Sequence, residues 1–306
     1  MSGFTVGDIP SQVGKRAVVT GANSGLGYET VLALANAGAD VILAARSEQK
    51  GNEALAKIRA LSPQAKVRLE LLDLSSLASV AEFSGRLNAE GQPLDMLINN
   101  AGVMALAQRQ TTVDGFEMQL GVNYLSHYAL TAQLLPLLRK APAPRVVNLS
   151  SLMHRSGKIH LDDLQLEHGY TPNKAYGQSK LAMLMFALEL QCCSDANGWG
   201  LMSNAAHPGY ARTELIANGP GKSGMMWQLN RILGPYVSHS SAAGALPTLY
   251  AATSPQAKAS GYYGPNGFSE LKGATAPSRI SARASDVAVA AQLWDVSKKL
   301  TASKFG

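Results

Sequence analysis

The stretch TGANSGLG, residues 20–27, begins at the end of the β-branched run RAVVT, residues 16–20. This run is apolar and is bounded by turn residues, which predicts a buried strand. Apolar side chains then recur with helical spacing and predict a helix over residues 24–37. The glycine-rich stretch therefore joins a strand to the beginning of a helix.

Each glycine of this stretch has its own structural role. Gly21 can make a tight turn, Gly25 lets the backbone approach a phosphate, and Gly27 lets the helix pack close to the sheet. The beginning of the helix presents free N–H groups and a positive dipole end to an anion. This context predicts a binding site for the pyrophosphate of a dinucleotide. The predicted contacts are Gly21, Asn23, Ser24, Gly25, Leu26 and Gly27.

The end of the second predicted strand bears on which dinucleotide is bound. The strand VILAA, residues 41–45, is followed by Arg46, and no acidic residue comes before Glu48. An acid at this place would hold the diol of an unmodified ribose, whereas the planar fork of an arginine accommodates a 2′-phosphate. We therefore predict NADP(H) rather than NAD(H), with Arg46 at the phosphate and a hydrogen bond from Ser24 or Asn23.

Short apolar runs alternate with helical stretches along the chain. Further strands are predicted at residues 67–72, 96–99, 145–149 and 201–206, with a short one near 262–263. Further helices are predicted at residues 48–61, 116–139 and 176–194. Such alternation predicts a Rossmann-type α/β fold, a doubly wound parallel sheet in a three-layer α/β/α arrangement.

The domain organisation follows from the same pattern. Because the sequence contains no linker, repeat or low-complexity segment, we predict a single domain over residues 1–306. Its dinucleotide-binding half covers about 14–140 and its catalytic half about 141–300. Residues 152–175 and 210–240 interrupt the alternation after predicted strands. Ligands of such sheets lie at the carboxyl ends of the strands, so these segments are expected to enclose a substrate.

Composition excludes several other classes of protein. Hydrophobic residues at 46% and charged residues at 16% are typical of a globular chain, and no apolar run is long enough to span a bilayer. The net charge is +6, but its lysines and arginines are scattered, so no nucleic-acid partner is predicted. Cys192 and Cys193 are interpreted as reduced structural thiols, and no metal site is predicted. The beginning of the chain lacks a signal-peptide pattern, which favours a cytoplasmic location.

Two further motifs, NNAG at residues 99–102 and YGQSK at residues 176–180, follow the glycine-rich stretch. Together with that stretch they resemble the short-chain dehydrogenase/reductase family over about residues 14–300. The segments NNAGVM, GVNYLSHYALT, VVNLSSLMHR, AYGQSKLAMLMFALEL and HPGYARTEL resemble its retinol-dehydrogenase-like group. The resemblance implies an oxidoreductase that transfers hydride between the cofactor and a carbonyl or alcohol carbon. Additional cofactor contacts implied by it are Asp73, Leu74, Asn100, Ala101, Gly102, Tyr176, Lys180, Pro208, Gly209 and Thr213.

Tyr176 and Lys180 are four residues apart on a predicted helix and therefore share one face. A free tyrosine, with a pKa of about 10, is poorly matched to proton transfer at neutral pH. We predict that the Lys180 ammonium lowers the pKa of Tyr176 so that it acts as the acid or base. The resemblance implies that Ser151, rather than its neighbour Ser150, orients the substrate oxygen, and that Asn123 links Lys180 to solvent through water.

The separation of Ser151 from Tyr176 is 25 positions, longer than in many family members but shared by the retinol-dehydrogenase-like group. A bulky hydrophobic ketone, aldehyde or secondary alcohol is the preferred substrate, because Met and Trp side chains suit an adaptable apolar lid over about 210–240. The alternative is that these residues only pack against the sheet or a neighbouring subunit. Predicted substrate contacts are Met153, His154, Tyr210, Met225, Met226 and Trp227.

Two other functions are consistent with the motifs. The first is NADPH-dependent reduction of a C=C bond, which Ser151 fits less well than carbonyl chemistry. The second is a non-catalytic NADP(H)-binding regulator, which the presence of both Tyr176 and Lys180 disfavours. His127, His154 and His207 are interpreted as structural, or at most as lining a pocket. The resemblance also implies a homodimer or homotetramer that pairs through the helices beginning near Phe116 and Tyr176.

Overall fold

The computed structural model describes residues 3–104, 106–210 and 239–305. Within these ranges eight strands form one sheet in the order β3-β2-β1-β4-β5-β6-β7-β8. The strands are β1 (Arg16–Thr20), β2 (Asp40–Ala45), β3 (Lys66–Leu71), β4 (Met96–Asn99), β5 (Arg145–Leu149), β6 (Met202–Ala206), β7 (Tyr262–Pro265) and β8 (Thr275–Pro277). The first seven pair in parallel, which confirms the predicted doubly wound sheet, whereas β8 pairs antiparallel with β7 at the edge.

Helices cover both faces of the sheet. They are α1 (Gly25–Asn36), α2 (Glu48–Leu61), α3 (Leu77–Glu90), α4 (Met118–Leu120), α5 (Ser126–Leu138), α6 (Pro172–Asn197), α7 (Ser241–Thr253) and α8 (Val287–Leu300). Helices α1, α2 and α7 pack in one layer, and α3, α5 and α6 pack in the other. Side chains of a strand alternate between these layers, as Val18 and Val19 of β1 show. The three-layer α/β/α arrangement is therefore confirmed.

The ends of α6 show why this helix is longer than predicted. It begins at Pro172, whose missing N–H costs nothing in the first turn, and the Thr171 hydroxyl accepts the Lys174 N–H as a cap. It ends at Gly198, which has a φ of 63°. The turn residues that close the helix therefore lie outside the stretch whose apolar spacing predicted it.

The helix predicted over residues 116–139 is interrupted. Its first part is the short α4, its middle is a π-helical turn over Gly121–Leu125, and α5 follows. Within the π turn, the side chain of Asn123 bonds both the N–H and the carbonyl of Val103, which lies twenty positions earlier in the chain. Such turns occur frequently at functional sites.

The C-terminal helix α8 packs against α6, and Phe305 lies beyond its end. Trp294 and Phe305 each place their rings 5.0 Å from that of Tyr128 on α5, and they also contact Phe186 on α6. The helix faces that were predicted to form a subunit interface are thus partly covered by α8 and Phe305 of the same chain. A dimer or tetramer stays a prediction, and one built on α5 and α6 would have to accommodate α8.

Three further properties of the chain bear on its class. Of the helices in the described ranges, none is both long and apolar enough to cross a bilayer. Over the same residues, no three His, Cys, Asp or Glu side chains are grouped so that they could hold a metal ion. Cys192 and Cys193 are free thiols, and burial raises the pKa of Cys193 to about 11.

Candidate active site

A cavity of about 440 Å³ lies at the carboxyl ends of the strands, where the strand order reverses between β1 and β4. Twelve of the predicted cofactor contacts line it: Gly21, Asn23, Ser24, Gly25, Leu26, Gly27, Arg46, Asp73, Leu74, Asn100, Ala101 and Gly102. These residues follow four different strands, so the sheet brings them together although they span more than eighty positions of the sequence.

The glycines of the first turn leave no room for side chains. A Cβ at Gly21 would lie 2.9 Å from the Ala101 Cα, and one at Gly27 would lie 2.6 Å from the Gly21 carbonyl oxygen. Gly21 and Gly25 also have positive φ angles of 62° and 56°. The glycine turn, the beginning of α1 and the 100–102 segment are therefore packed as a close backbone cradle, which fits the pyrophosphate of a dinucleotide.

A buried hydrogen-bond network fixes this cradle to the helix that carries Asn123. The Thr20 hydroxyl accepts the N–H groups of Asn100 and Ala101, both at 2.9 Å, and lies 2.9 Å from His127 Nε2. His127 Nδ1 lies 3.0 Å from the Asn123 carbonyl oxygen, and burial lowers the pKa of His127 to about 4. His127 is thus neutral and links β1 to the π turn, as its structural interpretation predicted.

Arg46 and Asp73 also line this cavity. The Asp73 carboxylate accepts the N–H and the hydroxyl of Ser75, at 2.9 and 2.7 Å, so its orientation is fixed. Arg46 follows the last residue of β2 and is exposed. Its guanidinium is therefore available to an anionic group at the rim of the cavity.

Ser151, Tyr176 and Lys180 come together beside this cavity. Ser151 lies near enough to Tyr176 to lower the pKa of its phenol, and the Ser151 hydroxyl accepts the Met153 N–H at 3.2 Å. Ser150, the alternative candidate, is buried, and its hydroxyl donates to the Lys180 carbonyl at 2.8 Å. Of the two serines, Ser151 is the one placed to hold a substrate oxygen against Tyr176.

The predicted net lowering of the Tyr176 pKa is wrong in this arrangement. Burial raises the pKa of Tyr176 to about 12, and the nearby Ser151 offsets only part of that rise. Lys180 lies 5.8 Å from the Tyr176 ring centroid and donates to the Leu149 carbonyl at 3.0 Å. Burial lowers the pKa of Lys180 to about 8. At neutral pH the pair therefore consists of a protonated phenol and a cationic lysine.

Asn123 lies on the other side of Lys180. Its amide nitrogen donates to the Val103 carbonyl at 3.0 Å and to the Ser179 hydroxyl at 2.9 Å. A Cβ at Gly102 would lie 3.1 Å from Asn123 Oδ1 and 3.4 Å from Lys180 Nζ, so only a glycine leaves both side chains in place. The structure thus brings Asn123 close to Lys180, as the prediction requires.

The remaining predicted contacts divide into three groups. Pro208, Gly209 and Tyr210 form the turn after β6 and are partly exposed, as is Met153 after β5. His154 is fully buried and bonds the Ser151 carbonyl at 2.7 Å, so it supports the segment that carries Ser151; its contact with the substrate stays a prediction. Thr213, Met225, Met226 and Trp227, with most of the predicted lid, lie outside the described residues.

Sequence reasoning missed part of the cavity wall. Six further residues line it, all of them apolar: Leu72, Val103, Met104, Leu106, Met118 and Val122. Val103 and Met104 directly follow the NNAG motif, so their position after a strand was a usable signal. Met118 lies on α4 and Val122 in the π turn, both within the helix predicted over residues 116–139.

Comparison with known proteins agrees with this geometry. The sequence pattern of the short chain dehydrogenase family matches residues 15–220. Human retinol dehydrogenase 13 is 41% identical over 305 residues, covering 97% of this chain and 88% of its own. Mouse polyprenol dehydrogenase is 43% identical over 252 residues, covering 81% and 74%. A crystal structure of an uncharacterised protein from Mycobacterium paratuberculosis has a TM-score of 0.82 at 40% identity, covering 100% of both chains.

The fold and the site define an oxidoreductase that acts on alcohol or carbonyl groups with a nicotinamide dinucleotide. The chain belongs to the short-chain dehydrogenase/reductase family, and its relatives place it in the retinol-dehydrogenase-like group.

Proposed function

We propose that this enzyme uses NADP(H) to interconvert a carbonyl and an alcohol on a bulky apolar substrate. The observation that carries the proposal is the grouping of Ser151, Tyr176 and Lys180 beside a glycine-lined cavity. Carbonyl reduction is favoured over C=C reduction because Ser151 can hold a substrate oxygen at the proton donor. A cytoplasmic location is part of the same proposal.

A nicotinamide dinucleotide bound by the glycine-lined cavity would supply or accept the hydride at the substrate carbon. Ser151 donates a hydrogen bond to the substrate oxygen and orients it towards Tyr176. In reduction Tyr176 gives its phenolic proton to that oxygen, and in oxidation it receives the alcohol proton. Lys180 places a positive charge near Tyr176 and stabilises the tyrosinate that proton donation leaves behind. Asn123 holds the backbone beside Lys180 and feeds protons to it from solvent.

The preference for NADP(H) is supported by positive charge around the adenosine end of the cavity. Arg46 lies at its rim, and a second cavity of about 310 Å³ shares Asn23 and Ser24 with it. Lys50 and Lys57 line this second cavity. A Pseudomonas aeruginosa relative, 26% identical with a TM-score of 0.62 over 81% of this chain and 92% of its own, was solved as an NADP active-site complex.

The apolar substrate class is supported by the cavity wall. Val103, Met104, Leu106 and Met118 add an apolar surface, and methionine adapts its shape to irregular ligands. The names of the relatives, retinol and polyprenol dehydrogenases, refer to apolar alcohols.

NADPH oxidation with a panel of aldehydes and ketones graded by size and polarity tests this function. We expect turnover to rise with apolar bulk, because burial of each additional CH₂ contributes about 0.8 kcal/mol. Parallel assays with NADH test the cofactor. A preference for NADH, or turnover confined to small polar carbonyls, would contradict the corresponding part of the proposal. Tight NADPH binding without carbonyl turnover would favour the regulator or C=C reduction.

Replacing Arg46 by alanine is expected to raise the KM for NADPH by about 10- to 100-fold, since a hydrogen bond to a charged group contributes roughly 1.5–3 kcal/mol. The KM for NADH should change little, because NADH lacks the phosphate. Steady-state kinetics with both cofactors measure the effect. Arg59→Ala, an exposed arginine in the last turn of α2, is the matched control. Equal losses with NADPH and NADH would contradict a phosphate contact.

A further inference from the structure

The short turn Phe268–Glu270 has an unusual backbone. Ser269 and Glu270 have φ angles of 51° and 59°, so two consecutive residues with side chains adopt the left-handed conformation. This conformation is disfavoured for every residue except glycine, and it persists where surrounding contacts over-determine it. The contacts that hold this turn therefore indicate what it is built to support.

Most of these contacts converge on the Glu270 carboxylate. Its Oε2 accepts from Arg155 Nη2 at 2.8 Å and from His207 Nε2 at 3.1 Å, and its Oε1 accepts the Arg279 N–H at 3.3 Å. Burial opposes ionisation of Glu270, but the Arg279 and Arg155 bonds still hold its pKa below the usual value. One carboxylate thus connects the segment after β5, the end of β6 and the segment after β8.

His207 transmits this connection to the turn after β6. The imidazole is fully buried, and its Nδ1 accepts the Gly209 N–H at 3.1 Å. The proton of the neutral ring is therefore on Nε2, which faces Glu270 and the Ser278 hydroxyl. The ring cannot move towards β7, because Gly264 packs so closely that a Cβ there would overlap it.

The Pro208–Gly209 turn also rests directly on the left-handed turn. Gly209 has a φ of 67°, and a Cβ there would overlap the Leu271 carbonyl. The Tyr210 N–H donates to the same carbonyl at 2.8 Å. On the other side of Glu270, Arg155 is the last residue of the 3₁₀-helix Leu152–Arg155, whose capping residue is Ser151.

We propose that Glu270 is a positioning residue that holds the Pro208–Gly209 turn, through His207, in a fixed relation to the segment carrying Ser151. This inference rests on the proposed function and on the family resemblance, which implies that Pro208 and Gly209 form the turn next to the nicotinamide. Among the described residues, Glu270 is not one of those that line the cavity. Its role is to keep the hydride-transferring end of the cofactor aligned with the substrate oxygen held at Ser151.

The test compares Glu270→Ala with Glu270→Gln in the full-length enzyme. For Glu270→Ala we expect kcat to fall by about 10- to 100-fold, because small misalignments at the reacting atoms have effects of this size. Its affinity for NADPH should fall as well, whereas its affinity for adenosine 2′,5′-bisphosphate, which lacks the nicotinamide, should not change. Glu270→Gln keeps an oxygen that accepts from His207 and should recover most of the loss.

A second variant distinguishes a loss of cofactor alignment from a failure of the protein to fold. Glu270→Gly removes the carboxylate and also relaxes the left-handed backbone, so it is expected to fold even where Glu270→Ala does not. It should lose kcat as Glu270→Ala does, while Glu82→Ala on the exposed face of α3 should behave as the unaltered enzyme.

Two results would overturn the proposal. Wild-type kcat in Glu270→Gly excludes a positioning role, and so does an equal loss of affinity for NADPH and adenosine 2′,5′-bisphosphate in every Glu270 variant. If the proposed function is wrong, the unaltered enzyme itself neither binds NADPH nor reduces carbonyls. The positioning role of Glu270 is then wrong as well.

Discussion

Tyr176→Phe is expected to lower kcat for carbonyl reduction by about 1,000-fold, within the range found when a positioned general acid is removed. The phenol is the proton donor in the proposed function: it lies near Ser151, and burial keeps it protonated by raising its pKa to about 12. Phenylalanine fills the same space without that proton. Binding of NADPH should persist, since the glycine cradle and Arg46 are unchanged.

Stopped-flow or steady-state NADPH oxidation measures the loss, and fluorescence titration with NADPH measures the retained binding. Tyr170→Phe is the matched control, because Tyr170 lies near the beginning of the same helix and donates its hydroxyl proton to the Leu106 carbonyl at 2.8 Å. That variant should keep near-normal kcat. Unchanged turnover in Tyr176→Phe would remove Tyr176 from the chemistry. An unaltered protein that binds NADPH but turns over no substrate would support the regulator.

The sequence predicted best those features whose determinants are local. The strands β4 and β5 were predicted at Met96–Asn99 and Arg145–Leu149, and the structure has the same bounds, because buried parallel strands are short apolar runs. The glycine-rich stretch was informative for the same reason. Its strand, turn and helix are contiguous in the sequence, and each glycine is needed at its position for a separate steric reason.

Features that depend on distant contacts were not predicted. The side chain of Asn123 in the π turn bonds Val103, twenty positions earlier, and helical spacing carries no sign of that bond. The Glu270–His207 contact joins residues 63 positions apart. Glu270 belongs to no motif, so only the fold shows that it reaches the site.

The electrostatics of the site also have one part that the sequence predicts and another part that depends on the fold. Spacing on a helix correctly placed Tyr176 and Lys180 on one side, yet it implied a lowered pKa for the phenol. The sign depends on burial, which outweighs a charge that stands 5.8 Å from the ring centroid and is itself bonded to a backbone carbonyl. A sequence states which groups are neighbours, but the balance between burial and charge is set by the packed interior.

Lys180→Met should lower kcat/KM for carbonyl reduction by roughly 100- to 1,000-fold, because it removes the charge that stabilises the tyrosinate. Methionine has a similar length and is apolar, so the helix and the packing around position 180 are preserved. Lys174→Met, in the first turn of the same helix, is the matched control and should retain its activity. Loss of activity in both variants would point to a general effect of charge on the helix.

The pH dependence of the same variant gives an independent check. Burial lowers the pKa of Lys180 to about 8, so the unaltered enzyme should lose reductase activity as pH rises through about 8 and the ammonium is deprotonated. This decline should be absent from the residual activity of Lys180→Met. A decline of equal size in both proteins would assign it to another group.

The stability of the folded protein should also depend on the protonation of Lys180. It should rise with pH over the range in which the reductase activity falls. Between pH 8 and 10.5 the unfolded chain binds more protons at Lys180 than the folded protein does, because its folded pKa is the lower one. This group therefore makes the unaltered protein more stable as pH rises through that window, and below pH 8 its burial as a cation costs a constant amount. Lys180→Met removes that cost, so its Tm relative to the unaltered protein should be highest near pH 7 and should decrease towards pH 10. Thermal unfolding of both proteins at pH 7, 8, 9 and 10 measures this difference, and a difference that stays constant would show that Lys180 is not the buried cation that the mechanism requires.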